Sequence, residues 1–401
     1  MIPKHYLFDT FRGERVHLGV CGSVAAYKAL ELTRALVHLE MPVEVTLTAA
    51  AAQFVTPMAF AAIGAAAVHT AAFDATAPFQ HLEPGQLARA VAVVPATANI
   101  LAKMAHGLAD DLLSTQLLAC PGPVLVAPAM NPRMWQAPAT QANVHTLRQR
   151  GTRFVGPESG TMACGDVGSG RLAPVEEIFV EILRLVAPQD LAGTRILVTL
   201  GPTREYFDPA RFWSNPSTGT MGASLAVAAA LRGAEVTAVC GPVDIALPRS
   251  VHRIDVTSAQ EMFAAAMDLF PAVDMALCTA AVADFRPPRQ ETKYTKDGRA
   301  LSLTFAPNPD ILAAMGKTKG PHQRLLGFAA ETGDLAAAAA AKLARKNADL
   351  MAANPIGRAE AGFASPTNRM VVIDRTGRTE AWPVLPKTEV AWRLLTWLAS
   401  L

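Results

Sequence analysis

The stretch Arg15-Val16-His17-Leu18-Gly19-Val20-Cys21-Gly22-Ser23-Val24-Ala25-Ala26-Tyr27-Lys28 decides the fold. Residues 15–20 form a short β-branched run that predicts a strand, and residues 24–39 carry helical sequence. A strand that passes through a turn of small residues straight into a helix opens a βαβ unit. Small residues there also let backbone N–H groups approach a phosphate at the helix N-terminus. Gly19 and Gly22 have the wrong spacing for G-x-G-x-x-G, so a mononucleotide is favoured over NAD.

Outward from this unit the alternation continues. Strands are expected at 43–48, 90–94, 123–127 and 152–155, with helical sequence between them such as 109–119. The polar, turn-rich segment 187–194 interrupts the pattern, which restarts with a strand at 195–200. Further strands are expected at 234–239, 251–256, 273–278, 324–328, 348–352 and 369–374. Two α/β domains follow, residues 1–190 and 191–401, each a doubly wound, Rossmann-like parallel sheet with ligands at the carboxyl ends of its strands. Segment 285–300, rich in Pro and charge, reads as a flap over a site.

Composition narrows the class. Of 401 residues, 51% are apolar and 17% charged, which argues against disorder, and a net charge of +2 gives no reason to invoke nucleic acid or an anionic membrane. The five cysteines are scattered without a C-x-x-C pair, so neither a disulfide framework nor a zinc site is suggested. The first fifteen residues lack an apolar h-region and the Ala-rich stretches are too short to span a bilayer. A soluble, reducing, cytoplasmic setting is the expectation.

Motifs in the first half sit just beyond strands. Pro95-Ala96-Thr97-Ala98-Asn99 offers hydroxyl and amide groups to a phosphate or a ring edge. Pro128-Ala129-Met130-Asn131-Pro132 places an amide that can fix a carboxylate from two sides. Ala163-Cys164-Gly165-Asp166-Val167-Gly168-Ser169-Gly170-Arg171 describes a flap presenting a thiol, and His81 stands in Phe79-Gln80-His81-Leu82-Glu83. Each alone has a plain structural explanation as a turn, a cap or a core side chain.

Together these elements resemble the flavin-containing cysteine decarboxylases, and over its full length the chain resembles the bifunctional enzymes of coenzyme A biosynthesis. For the first half the resemblance implies a flavodoxin-like flavoprotein domain, a phosphopantothenoylcysteine decarboxylase. Its FMN would lie against Gly22, Ser23, Val24, Thr48, Pro95, Ala96, Thr97 and Asn99. It also implies His81 as base, Asn131 as contact for the substrate carboxylate and Cys164 as proton donor. The chemistry requires such parts. Loss of CO₂ from an acylated cysteine needs an electron sink, which oxidation of CH₂–SH to a thioaldehyde provides. The ene-thiol left behind must then be reduced and protonated. Cys21 departs from the Ser or Thr expected beside the flavin phosphate, and as a weaker donor it implies reduced FMN affinity.

For the second half the resemblance implies a CTP-dependent phosphopantothenate–cysteine ligase working through an acyl-cytidylate. Ser214-Asn215-Pro216-Ser217-Thr218-Gly219-Thr220-Met221-Gly222 opens an Ala-rich helix, a suitable anion site. The CTP site would comprise Ala281, Asp284, Lys293, Asn308, Pro309, Asp310, Ile311, Phe328, Lys342 and Lys346. Asn215 would assist breakdown of the acyl-cytidylate and Lys293 would stabilise charge on the α-phosphate. Mg²⁺ would accompany the triphosphate, its ligands unassigned. Thr220 and Thr295 stand where the family has lysines, so two cations are lost near the substrate. The resemblance further implies homo-oligomers, with trimeric flavin domains and dimeric ligase domains building a dodecamer.

Three other readings are weaker. A decarboxylase for another cysteine-ended substrate would use the second half only to dimerise. A flavin-binding regulatory subunit would need neither His81 nor Cys164, and a nicotinamide dehydrogenase lacks its fingerprint.

Overall fold

The computed structural model describes residues 2–73, 77–162, 165–296, 300–355 and 365–401. The chain divides into two compact units: Leu7–Ala187, and Pro188–Leu401 joined by Pro3–Tyr6.

In the first unit, strands β1 (Val16–Val20), β2 (Val43–Leu47), β3 (Ala67–His69), β4 (Ala90–Ala96), β5 (Val124–Pro128) and β6 (Arg153–Phe154) form one parallel sheet in the order β3-β2-β1-β4-β5-β6. β1, β4 and β5 are buried along their whole length because helices cover both faces of a doubly wound sheet. Strand order reverses between β1 and β4, and a crevice opens at their carboxyl ends. A two-stranded antiparallel hairpin, β7 (Glu158–Thr161) and β8 (Val167–Arg171), follows the sheet.

The second unit repeats the plan and then departs from it. Its strands are β9 (Arg195–Leu200), β10 (Arg204–Tyr206), β11 (Phe212–Ser214), β12 (Glu235–Cys240), β13 (Val251–Asp255), β14 (Met275–Cys278), β15 (Phe285–Arg286), β16 (Ala306–Pro307), β17 (Arg324–Glu331), β18 (Leu350–Pro355), β19 (Thr367–Asp374) and β20 (Thr379–Pro386). The main sheet runs β13-β12-β9-β14-β17-β18-β19-β20, parallel through β18 and antiparallel at β19 and β20. Sequence patterning anticipates the parallel part. The antiparallel end differs because β18 ends at Pro355 and β19 begins at Thr367, too short a connection for a parallel return, which needs a crossover of a dozen or more residues. Arg232, buried in this unit, clamps Asp190 through two hydrogen bonds of 2.9 and 2.6 Å and lies over the Trp392 ring.

His17 sits fully buried in β1 with Nε2 3.0 Å from Thr46 Oγ1. Burial pushes its imidazole down to about 4, against the attraction of the Glu44 carboxylate. The unfolded chain takes up that proton near the ordinary value of 6.5, so stability is retained above 6.5 and lost as pH falls towards 4. The loss from this group amounts to about 3 kcal/mol. His17→Gln is expected to flatten the acid limb of urea unfolding between those two pH values. An unchanged slope would assign the acid sensitivity to other groups.

Candidate active sites

The first site occupies the crevice at the β1/β4 reversal. Ser23 caps the short helical turn Val24–Ala26, its Oγ accepting from the Ala25 N–H at 3.3 Å. A Cβ at Gly22 would lie 2.4 Å from the Ala50 Cβ, so only glycine lets this loop pass the loop after β2. Thr48 at that loop accepts from the Ala51 N–H at 3.1 Å. Thr97 caps the helix Ala98–His106, and the Cys21 N–H donates to the Pro95 carbonyl at 3.2 Å, tying the 19–24 and 95–99 loops together. Gly22, Ser23, Thr48 and Thr97 thus gather at three strand ends, a fit for a mononucleotide phosphate and its ring. Asn99 is exposed just beyond them on the first turn of its helix.

Beside them lies a cavity of about 430 Å³ lined by Ser23, Val24, Tyr27, Met130, Asn131 and Arg171, among others. Asn131 caps the helix Pro132–Gln136 through Oδ1, and its Nδ2 donates to Asp166 Oδ2 at 2.6 Å. The amide expected to hold a substrate carboxylate therefore already holds a carboxylate of the flap. Gly170 brings the β7–β8 hairpin close: its carbonyl accepts from the Met130 N–H at 3.0 Å, and a Cβ there would come within 2.2 Å of the Met130 oxygen. His81 is half-buried in the turn before the helix Glu83–Leu87 and is not among the residues lining the cavity. Cys164 lies outside the described residues.

Cys21 is buried at the first of these loops. Its side chain turns into the core among Val91, Val93 and Leu113, burial pushes the thiol up to about 12, and it bonds Thr97.

The second site lies at the β9/β14 reversal. Asn215 Nδ2 donates to the carbonyls of Ala281 and Val282 at 3.1 and 3.2 Å, and Ala281 N–H donates to Gly201 at 2.9 Å. Asn308 closes the far side, Nδ2 donating to Ala283 at 2.8 Å and its N–H to Asp284 at 2.8 Å. Asn215, Ala281, Asp284 and Asn308 are thus one hydrogen-bonded group, with the Asp284 side chain exposed. Pro309 leads from it to Asp310, which caps the helix Ile311–Thr318 and pairs with Lys346 Nζ. Burial works against ionisation of Asp310, but Lys346, the Ala313 N–H and Arg345 together outweigh it and hold the carboxyl below its ordinary value. Lys342, one turn before Lys346 on Leu335–Lys346, pairs with Glu331 at 2.6 Å. Both cations assigned to a triphosphate therefore rest on carboxylates.

Lys293 is exposed in the flap, whose next residue is pinned: buried Asp208 accepts from the Tyr294 N–H at 3.2 Å. Burial opposes ionisation of Asp208, yet the amides of Ala210, Arg211 and Tyr294 hold its carboxyl low. Segment 287–296 has no helix or strand, as a flap should, while β15 and β16 form its base. Phe328 lines a cavity of about 120 Å³ at the start of the helix Thr220–Leu231, with Ser217, Thr218 and Ala281. Thr220, in place of a family lysine, hydrogen-bonds Thr218 through its hydroxyl at 2.8 Å. Three further lining residues, Asn354, Asn368 and Lys387, escaped sequence reasoning. The one available signal was a lysine directly after Pro386 at a helix start, where the dipole disfavours a cation.

These features define a nucleotide-binding flavoprotein domain followed by a second α/β domain. The family described as "Flavoprotein" matches residues 9–187, and "DNA/pantothenate metabolism flavoprotein C-terminal domain" matches 191–401. The chain is 41% identical over 388 residues to the "Coenzyme A biosynthesis bifunctional protein CoaBC" of Vibrio cholerae, covering 96% of this chain and 97% of that one. It is 40% identical over 393 residues to the protein of that name from Bacillus subtilis, covering 96% and 97%. A solved structure of the C-terminal domain of such a protein is 36% identical, covers 53% of this chain and 97% of its own, and gives a TM-score of 0.46. The chain belongs to the family of coenzyme A biosynthesis bifunctional proteins. Its halves are a flavoprotein decarboxylase domain and a ligase domain.

The helix at the second site packs directly on the sheet at Gly222, where a Cβ would lie 2.4 Å from the Leu200 Cβ and 2.3 Å from Thr279 Oγ1. Gly222→Ala is expected to destabilise the ligase domain by about 1–3 kcal/mol. Calorimetry of the full chain would detect this as a lowered transition. A melting profile matching the parent would mean that Thr279 and Leu200 move aside freely.

Proposed function

We propose that the ligase domain joins cysteine to 4′-phosphopantothenate with CTP and that the decarboxylase domain converts the product to 4′-phosphopantetheine. The observation carrying this reading is the pair of amides, Asn131 and Asn215, each fixed beside a crevice at a strand-order reversal within a chain related over its length to the bifunctional family.

In the ligase step a carboxylate oxygen of phosphopantothenate attacks the α-phosphorus of CTP and pyrophosphate leaves. Lys293 stabilises the charge on the α-phosphate, and Lys342 and Lys346 exchange Glu331 and Asp310 for phosphate oxygens. Mg²⁺ would supply charge neutralisation to the triphosphate. The cysteine amine then attacks the acyl carbon and CMP departs, with Asn215 orienting the acyl-cytidylate.

In the decarboxylase step Asn131 releases Asp166 and holds the substrate carboxylate. Gly22, Ser23, Thr48 and the 95–99 loop would hold FMN, which would supply the two-electron acceptor needed before CO₂ loss and the two-electron donor needed after it. His81 removes the thiol proton and Cys164 delivers a proton to the ene-thiol carbon. Because His81 stands outside the cavity of its own domain, a second copy of the chain supplies it. Exposed apolar side chains in this unit, Phe54, Met58 and Phe79 among them, are suited to that contact. In the ligase unit, exposed Trp213 and Phe285 offer another self-association surface. No helix among the described residues is long and apolar enough to cross a membrane.

The test is mass spectrometry of a reaction containing the protein, 4′-phosphopantothenate, cysteine, CTP and Mg²⁺, with 4′-phosphopantetheine and CMP expected. Absence of CMP would reject the ligase step. Gly170→Ala, which intrudes on the Met130 carbonyl, is expected to accumulate phosphopantothenoylcysteine while CMP continues to form. Undiminished 4′-phosphopantetheine from that variant would reject the role given to the hairpin and Asn131.

A further inference from the structure

His81 stands in a turn that a buried polar group ties to the sheet of its unit, and no reaction step above uses that group. Its strand members share one face. His17 lies opposite Glu44, Thr46 lies opposite His69, and Glu44 and Thr46 are two residues apart on β2. His17 Nε2 is 3.0 Å from Thr46 Oγ1. His69 bridges outward, with Nε2 3.3 Å from Glu44 Oε2 and Nδ1 3.2 Å from Gln80 Oε1. The hydrogen bond from His69 is the largest influence on the Glu44 carboxyl and holds it below its ordinary value, against the opposing effect of burial. Gln80, the residue before His81, is 5% exposed.

The main chain of the turn is held from another side. Gln116, fully buried in the helix Leu112–Leu118, donates from Nε2 to the Gln80 carbonyl at 2.7 Å. The Gln116 carbonyl oxygen meets the same segment again at Gly85, where a Cβ would lie 2.9 Å from it. One residue thus contacts the chain on both sides of His81. Its helix is firmly seated: Asp111 caps it through a reciprocal bond with Ser114, and Leu113 packs on β1, where a Cβ at Gly19 would lie 2.5 Å away. Bonds within the turn, from the Gln80 N–H to Ala77 and from the Leu82 N–H to Phe79, are local and shape the turn without placing it.

This arrangement works against stability. Gln80 Nε2, Gln116 Oε1 and His17 Nδ1 are buried without a hydrogen-bond partner. An unpaired buried polar atom opposes folding, and apolar side chains would fill the same space without that cost. Such atoms gathered beside a reactive side chain are the pattern expected where geometry serves chemistry.

We propose that Gln116, Gln80 and His69 are positioning residues for His81, fixing its backbone so that the imidazole meets the substrate thiol at a constant distance. The inference rests on the reading of His81 as the base of the decarboxylase step. Proton removal requires approach within hydrogen-bond reach, and misplacement by about 1 Å can cost about 100-fold in rate.

Gln116→Met keeps the length of the side chain and removes the donor. In the full chain with phosphopantothenoylcysteine, kcat is expected to fall about 10- to 100-fold, with KM within about twofold of the parent and FMN content unchanged. Hydrogen exchange followed by mass spectrometry reads position without turnover. Amides of residues 79–87 should exchange faster in the variant, and those of β1 and β4 at the parent rate. His69→Phe keeps a ring on the edge strand β3, a lesser threat to folding, and is expected to lower kcat about 3- to 10-fold with the same split. Should Gln116→Met fail to fold, His69→Phe decides alone. Parent kcat in the folded variants, or losses that only track loss of FMN, would make the network structural and overturn the inference. His81→Asn separates the underlying reading, because turnover at the parent rate there would reject His81 as base whatever the other variants do.

Discussion

Each crevice exists because backbone passes backbone at a distance that excludes a side chain. At the ends of the central strands a Cβ on Gly22 would meet Ala50, one on Gly222 would meet Leu200, and one on Gly241 would lie 1.8 Å from the Pro202 carbonyl oxygen. Parallel strands flanking a reversal send their crossovers to opposite faces, so the loops diverge and leave the crevice between them. The glycines decide how deep that crevice is and how near its N–H groups stand to a ligand. Replace the close approaches with ordinary side-chain contacts and the loops lift away from the strand ends. The capping residues Ser23 and Thr97 would then present their helices to nothing in common.

The same reversal serves two chemistries because the elements appended to it differ. In the first unit a hairpin, β7–β8, returns over the crevice and puts Gly170 against Met130 and Asp166 against Asn131. In the second, the antiparallel end of the sheet brings Asn368 in β19 and Lys387 just after β20 to the cavity at the start of Thr220–Leu231. The sheets supply position and the appendages supply function.

Much of this was legible in the sequence because parallel strands and their glycine turns are local signals. The runs at 15–20, 43–48, 90–94, 123–127 and 195–200 carry their own β-branched signature, and each motif follows its strand directly. What was not legible depended on partners distant in sequence. Strand β20 contains Pro383 and ends at Pro386, which argues against a central strand, but it forms the edge of the sheet, where a missing N–H is tolerated. Cys21 reads as a turn residue among glycines, yet it is buried in one cluster with Leu113, in a helix nearly a hundred residues later. Lys387 and Asn368 reach the second cavity only because an antiparallel return carries β19 alongside β18.

The ion pairs of the ligase domain fall into two kinds, and the difference follows from solvent. Asp349 is fully buried and receives Lys319, Arg375 and the Leu325 N–H at 2.9, 3.1 and 2.8 Å, so removing any partner would strand a charge in the interior. It fastens β17 and β18 to the β19–β20 turn and cannot be lent to a ligand. The pairs Lys342–Glu331 and Lys346–Asp310 are partly solvated, and a pair of that kind contributes about 0–1 kcal/mol. Under the proposed ligase mechanism, exchanging such a carboxylate for a phosphate oxygen would therefore cost little, and the pair would limit each lysine's freedom before the nucleotide arrives. An unpaired lysine would lose more side-chain entropy on binding, up to about 2 kcal/mol. Weakness of the resting contact is what would let these two lysines serve, as proposed, a ligand that comes and goes with every turnover.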